Sequence, residues 1–416
     1  MSDLNEFRAD PVAFLRSLHA RAGDVARFRI GAHRLTLLAH PEAIRGVLVA
    51  HAASFVKGPG LLRSRPVLGQ GLLTTDGPVH ASDRRALLPA FVTTAVMGEY
   101  AQTMAAAIQS TLTAWRDEQE IDIHREMGAL SLEVAIRCFF GGTASIDACE
   151  IGSALSTAID AGYSRLGPSS NRPDAREANS AFAPLRAAAD EGLLRGQGCG
   201  THVLDALAQL PEARRRDHAA TLLIAGHESI AIALAWAWML IDRHPRVREK
   251  LECEAAAIDA GELDAPFPLT QRLTYARAVL AETLRLYPPA WMLSRQAIEA
   301  VEVPGAQIAA GEIVVLAPCV TQIDERWFVD PREFRPERWI DSPKPVRNAF
   351  FPFGSGPHLC IGEPFAWAEG ILALSLLACR WRVSVAPDFV PAWKPLVTLR
   401  PAHAMSGRLH SINGVR

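Results

Sequence analysis

Residues 351–363 read Phe351-Pro352-Phe353-Gly354-Ser355-Gly356-Pro357-His358-Leu359-Cys360-Ile361-Gly362-Glu363, a single cysteine inside a glycine-rich, proline-punctuated loop. Gly354 and Gly356 carry no Cβ, so the backbone there turns tightly and lies close to a flat object. Pro352 and Pro357 stiffen the run and exclude a helix through it. Beyond Cys360 the pattern becomes helical, with Phe365-Ala366-Trp367-Ala368-Glu369 leading into an apolar stretch over 371–378. A cysteine at the start of a helix meets free N–H groups and the positive end of the dipole, which favour the thiolate. A thiolate held rigidly against a flat cofactor has the chemistry of a haem axial ligand. Two plainer readings stand beside it: a structural cysteine in a turn, and a nucleophile, for which His358 two residues away is a poor base.

The spacing Phe353-x-x-Gly356-x-His358-x-Cys360-x-Gly362 resembles the cysteine-ligand loop of the cytochrome P450 family. Five residues at fixed separations make the match specific, and the resemblance extends over nearly the whole chain. It implies a mainly α fold with minor β sheets and haem b (iron protoporphyrin IX) as cofactor. Cys360 is then the ligand to the metal, with Phe353, Gly354 and Gly362 in the cofactor-binding loop. The implied reaction is monooxygenation, one oxygen atom from O2 entering a largely apolar organic small molecule.

The chain has 416 residues with a formal net charge of −2, which gives no reason to expect nucleic acid or an anionic membrane as partner. Its 7 cysteines are scattered without a C-x-x-C pair, which argues against a disulfide framework or zinc cluster and suits a reducing cytosol. The polar start, Met1-Ser2-Asp3-Leu4-Asn5-Glu6, lacks the basic and apolar regions of a signal peptide or anchor. A soluble, cytoplasmic, bacterial-type member is therefore expected. The run from Ala219 to Ile241 is apolar and long enough to span a bilayer. His227-Glu228-Ser229 near its centre argues instead for the buried axis of a large protein.

Periodicity predicts a hairpin over 25–39, helices over 41–50, 80–91, 96–115 and 126–140, and a long binding loop or lid over 55–73. Two short helices joined by a mobile loop are expected over 162–200, and helices over 245–258 and 269–286. Short strands follow at 301–317 and in the tail at 381–410. Residues 1–416 are expected to form one catalytic unit, β-rich at about 25–39, 296–317 and 381–410.

Ala225-Gly226-His227-Glu228-Ser229 matches the family's oxygen-activation motif, except that serine stands where threonine is usual. The resemblance makes Glu228 and Ser229 the catalytic acid and alcohol. Gly226, a cofactor contact, is expected to thin the helix over the haem face, and the Ser229 hydroxyl to loosen the helix by bonding back to the Ala225 carbonyl. His80 and Arg84, one turn apart, together with Arg295 and His358, match the family's propionate-binding cations. Arg85 is expected to face outward. Glu282, Arg285 and Arg338 match a buried ion network that braces the wall behind the cysteine loop. The substrate pocket is expected from residues 61–73, Ile224, Gly226, Ala290-Trp291-Met292-Leu293 and a turn near Leu396.

The chain ends at Arg416 without a flavin or iron–sulfur domain, so a separate ferredoxin-type electron donor with its reductase is the expected partner. Three alternatives remain open: haem binding or sensing without turnover, a peroxide-driven reaction, and atypical oxidation such as desaturation or ring coupling. Retention of an acid and a hydroxyl at 228–229 argues against the first two.

Overall fold

The structure, a computed structural model, describes residues 3–62, 65–142, 183, 186–187, 189–194, 200–341, 345–395 and 397–412. Helix α1 (Pro11–Ala22) opens with Pro11 and with the Asp10 side chain accepting from the Ala13 N–H, which satisfies one free donor of its first turn. The hairpin β1 (Val25–Ile30) and β2 (His33–Leu38) turns at Gly31, whose φ of 60° favours glycine. Strand β3 (Phe55–Lys57) precedes α2 (Gly77–Leu87) and α3 (Thr94–Ala114). Then come β4 (Glu120–Asp122), α4 (Ile123–Phe140), the long α5 (Glu212–Arg243), α6 (Pro245–Ala256) and α7 (Thr274–Leu286). Strands β5 (Leu293–Ala297), β6 (Val301–Val303), β7 (Ala306–Ile308) and β8 (Ile313–Leu316) lead to α8 (Glu363–Ala378). The tail holds β9 (Trp381–Val385), β10 (Trp393–Pro395), β11 (Leu399–Pro401) and β12 (Ser406–Ser411).

A five-stranded sheet runs β1-β2-β8-β5-β3, with β2 and β8 parallel and the other neighbours antiparallel. It joins the N-terminal hairpin to strands from far along the chain. The helical body is built around α5, which packs against α4, α7 and α8. Its apolar stretch is long enough to cross a membrane, yet 83% of that stretch is buried inside the protein. Burial of side chains such as Trp236, Leu234 and Ile232 contributes about 1.5–3 kcal/mol each.

Several boundaries differ from the periodicity. The segment 55–73 contains β3 and two single-turn helices, Pro59–Leu62 and Arg65–Leu68. The helix expected over 269–286 is split at Leu273, because the Glu254 carboxylate accepts from the Tyr275 and Ala276 N–H groups and starts α7 afresh. The helix over 41–50 is α-helical to Arg45 and a π turn over Gly46–Ala50. The elements expected over 162–200 fall largely outside the described residues.

Candidate active site

The cysteine loop is fixed from within by its own backbone. The Cys360 N–H donates to the Phe353 carbonyl at 2.9 Å, and the Gly354 N–H to the Phe351 carbonyl at 2.9 Å. Gly354 and Gly356 adopt φ of 75° and 69°. At Gly356 a Cβ would lie 1.9 Å from the Leu48 carbonyl oxygen, so the loop packs directly on the π turn. Phe353 meets Trp367 with ring centroids 5.6 Å apart.

Cys360 is a free cysteine that stays accessible on the loop, although protein atoms crowd it closely. Burial pushes its thiol up to about 11, against the lowering effects of the Gly362 N–H and the Arg84 charge. In the loop by itself, desolvation opposes the lowering effect of the helix start. A coordinated cation removes such a proton outright.

The loop is braced from behind by a buried ion network. Glu282 and Arg285 are fully buried and Arg338 nearly so. Arg285 donates two bonds to Glu282, at 2.9 and 2.8 Å, and Arg338 and Trp339 each donate at 2.9 Å to the same carboxylate. Burial raises the Glu282 carboxyl, but the bonds and charge of Arg285 outweigh it and hold it below the usual 4.5. Gln322 carries this frame to the loop: its Nε2 donates to the Leu284 carbonyl at 3.0 Å, and its Oε1 accepts from the Phe351 N–H at 3.0 Å. Sequence reading found the three charged residues and missed Gln322, which has no local motif.

Around His80 and Arg295 the structure gathers a cationic pocket. Antiparallel pairing places Lys57 of β3 opposite Arg295 of β5, both buried. Like charges directly opposed on a sheet destabilise it unless an anion lies near. Asp76 supplies one: it accepts from the Lys57 N–H and lies 3.3 Å from His358 Nε2. Burial raises the Asp76 carboxyl, but the bonds from His358, Lys57 and Gly77 hold it below its usual value. Burial also pushes the Lys57 ammonium down to about 8, with Arg295, Arg84 and Arg65 adding to the effect. His80 stacks at 4.3 Å on His358 and is pushed down to about 3 by burial and by Lys57. Burial thus opposes a charge on His80, which was expected among the cations. The His358 Nδ1 is buried without a hydrogen-bond partner among the described residues. Arg84 is half-buried, and its charge and that of Cys360 act on one another, while Arg85 is exposed as expected. Lys57 and Asp76 were not found by sequence reading, because sheet pairing and a helix cap bring them in.

The middle of α5 carries the residues that match the oxygen-activation motif. In a helix buried almost throughout, Ala225 is exposed and Gly226 and Ser229 are half-buried, so one short face opens. The helix is unbroken from Glu212 to Arg243, without the local loosening expected at Ser229. The missing Cβ of Gly226 would lie 2.6 Å from Phe139 Cε2, so this glycine admits α4 against α5. Glu228 points elsewhere: it is buried, takes a hydrogen bond from Arg400 Nε and another at 3.1 Å from the Thr398 hydroxyl. Burial raises its carboxyl, and the charges of Arg400 and His227 more than offset this, leaving it below its usual value.

Of the expected pocket residues, Trp291 is a core residue packed with Val12, Phe14 and Ala39, and Met292 packs on the same cluster. Ala290 is half-buried, Ile224 belongs to the main core, and Leu396 lies outside the described residues. His19, Asp24 and Asp324 form the metal-like grouping among the described residues, and Arg326 already donates to both carboxylates.

A helical body around a long buried helix, on a small mixed sheet, with a braced cysteine loop whose His358 reaches a cationic pocket, defines a haem-thiolate fold. The family model described as cytochrome P450 matches residues 3–170 and 205–402, and the chain belongs to that family. It is 33% identical over 94% of its length to cyclooctatin synthase of Streptomyces melanosporofaciens, covering 89% of that protein. It is 30% identical over 91% of its length to pentalenene oxygenase of Streptomyces avermitilis, covering 88% of it. Among solved structures, CYP175A1 from Thermus thermophilus superposes with a TM-score of 0.81 at 28% identity, over 98% of this chain and 97% of that one. The chain is thus a cytochrome P450 monooxygenase, and the family's cofactor is haem.

The residues present fit that group. Haem brings two carboxylates, and Lys57 and Arg295 form an opposed cation pair beside a histidine nitrogen without a partner. It also brings an iron that a thiolate ligates, and Cys360 is a free, exposed cysteine.

Proposed function

We propose that this enzyme is a single catalytic unit, soluble and cytoplasmic, that oxygenates a largely apolar terpenoid hydrocarbon with electrons from a ferredoxin and its reductase. The observation that carries the reading is Cys360, a free, exposed cysteine on a loop locked by the Phe353 and Gly356 contacts. Its relatives cyclooctat-9-en-7-ol 5-monooxygenase and pentalenene oxygenase are named for terpenoid substrates, which supports the substrate class.

When bound, haem supplies activation of dioxygen, one atom entering the substrate and the other leaving as water with two electrons and two protons. In this reading Cys360 holds the iron, and the covering loop of Phe353, Gly354 and Gly362 keeps the sulfur in place. Arg84, Arg295, Lys57, His80 and His358 hold the propionates. Ala225 and Gly226 line the open face of α5, and the Ser229 hydroxyl orients a proton toward that face. Glu228 supplies the proton that Ser229 passes on. The apolar surroundings exclude water from the substrate.

Titrating the haem-loaded protein with a series of cyclic terpene hydrocarbons tests the substrate class. At least one member should displace the iron-bound water, seen as a spin-state change, and then yield a product carrying one labelled atom from 18O2. A response confined to polar or aromatic compounds would contradict it.

A further inference from the structure

Gln322 is fully buried, and both ends of its side-chain amide are engaged. Helix α7 ends at Leu286, so its last carbonyls lack partners within the helix. The Gln322 Nε2 donates to two of them, Leu284 at 3.0 Å and Arg285 at 3.2 Å. Its Oε1 accepts from the Phe351 N–H at 3.0 Å. The backbone of Gln322 is fixed as well. Its N–H donates to the Pro318 carbonyl at 2.9 Å, and its carbonyl accepts from Arg285 Nη1 at 2.9 Å. A planar amide of fixed length therefore spans from the end of α7 to the first residue of the cysteine loop.

From Phe351 the bonds continue to the cysteine. The Phe351 carbonyl accepts from the Gly354 N–H at 2.9 Å, and the Phe353 carbonyl from the Cys360 N–H at 2.9 Å. A shift at Phe351 is thus carried to Cys360 through two closed turns. The Phe351 ring is buried with Val47 and Leu48, and Gly356 rests on the Leu48 carbonyl. Apolar contacts of this kind set no direction, whereas the hydrogen bond from Phe351 to Gln322 does.

From this relay we infer that Gln322 is a positioning residue for the metal ligand: its amide sets the orientation of the Cys360 backbone, and with it the strength of the sulfur–iron bond. The inference rests on the reading of Cys360 as that ligand. The Glu282–Arg285–Arg338 network supplies rigid support, and Gln322 converts it into a defined position of the loop. Glutamine suits the task because one end donates twice while the other accepts. An apolar side chain in its place leaves two carbonyls and one N–H buried without partners.

The test uses the full-length, haem-loaded protein. Gln322→Met keeps the length and removes both arms. Its iron–sulfur stretching band, read by resonance Raman, should broaden and move to lower frequency. Its reduced, carbon monoxide-bound form should lose the long-wavelength Soret band about tenfold faster, on the scale of one orphaned buried group. Gln322→Glu takes up a proton when buried and then keeps one acceptor and one donor, so it should return both readouts most of the way. Gln322→Asn keeps the amide but is one methylene short. It should move both readouts in the direction of Gln322→Met, and serves if that variant does not fold. Leu251→Ala, in the core face of α6, lowers the unfolding midpoint without touching the relay, and its iron–sulfur band should stay in place. A band unmoved in Gln322→Met and Gln322→Asn, or moved equally in Leu251→Ala, would overturn the positioning role and leave Cys360 as the ligand. Absence of an iron–sulfur band in the unsubstituted protein would overturn the ligand reading and the inference together.

Discussion

Cys360 shows how far local spacing reaches. The glycines, the histidine and the cysteine lie within a few residues of one another, so their arrangement was legible in the sequence. The cost of its surroundings was not: helix-start reasoning favours a thiolate, and burial in the folded loop opposes it by pushing the thiol up to about 11. Lys57 marks the opposite case. It carries no motif and lies opposite Arg295 only because β3 pairs with β5, its ammonium donating to the Leu72 and Thr75 carbonyls. Replacing it tests the cationic pocket. Lys57→Met keeps the length and removes the charge, so haem should pass to a competing apoprotein faster, by about tenfold for each 1.4 kcal/mol by which haem binding weakens. Retention equal to the unsubstituted protein would show that Lys57 does not hold the cofactor.

At the scale of elements, α8 carries a buried acid that its sequence announces only as part of a helix. Glu369 is fully buried, and neither carboxylate oxygen meets a hydrogen-bond partner among the described residues. Burial pushes it from 4.5 up to about 8, lowered only slightly by the nearby Ser131 hydroxyl. The folded protein then keeps a proton that the unfolded chain releases, so this group makes stability fall as pH rises between those two values. Glu369→Gln should flatten that loss, measured as denaturation midpoint from pH 5 to pH 8. An unchanged pH slope would mean that Glu369 is ionised in the fold. Helix α5 was read correctly as a buried axis from its apolar length and central charges. The purpose of Gly226 was not legible, because Phe139 is supplied by α4. Nor was the split before α7, which depends on Glu254 reaching across from α6.

For the whole molecule, the family pattern made the mainly α fold and the Glu282–Arg285–Arg338 network readable from the chain alone. What spacing does not carry is connection over distance: Gln322 linking the network to Phe351, and Arg400 reaching Glu228 from the tail. The network is an all-or-none support. Removing Glu282 leaves Arg285 and Arg338 buried without compensation, which costs about 3–5 kcal/mol. Glu282→Ala should therefore purify with little or no haem and a lowered unfolding midpoint; a fully loaded variant of normal stability would contradict the bracing role. The depressed Glu282 carboxyl adds a pH signature. Its contribution is present above the usual 4.5 and is lost as pH falls through the lower folded value.

The central claim is that Cys360, held by its braced loop, is the thiolate ligand to haem iron. The absorbance spectrum of the reduced, carbon monoxide-bound protein tests it most directly. The account predicts the long-wavelength Soret band of a thiolate-ligated haem, abolished in Cys360→Ala. A band at the position of a histidine-ligated haem, or a long-wavelength band that survives Cys360→Ala, would contradict it.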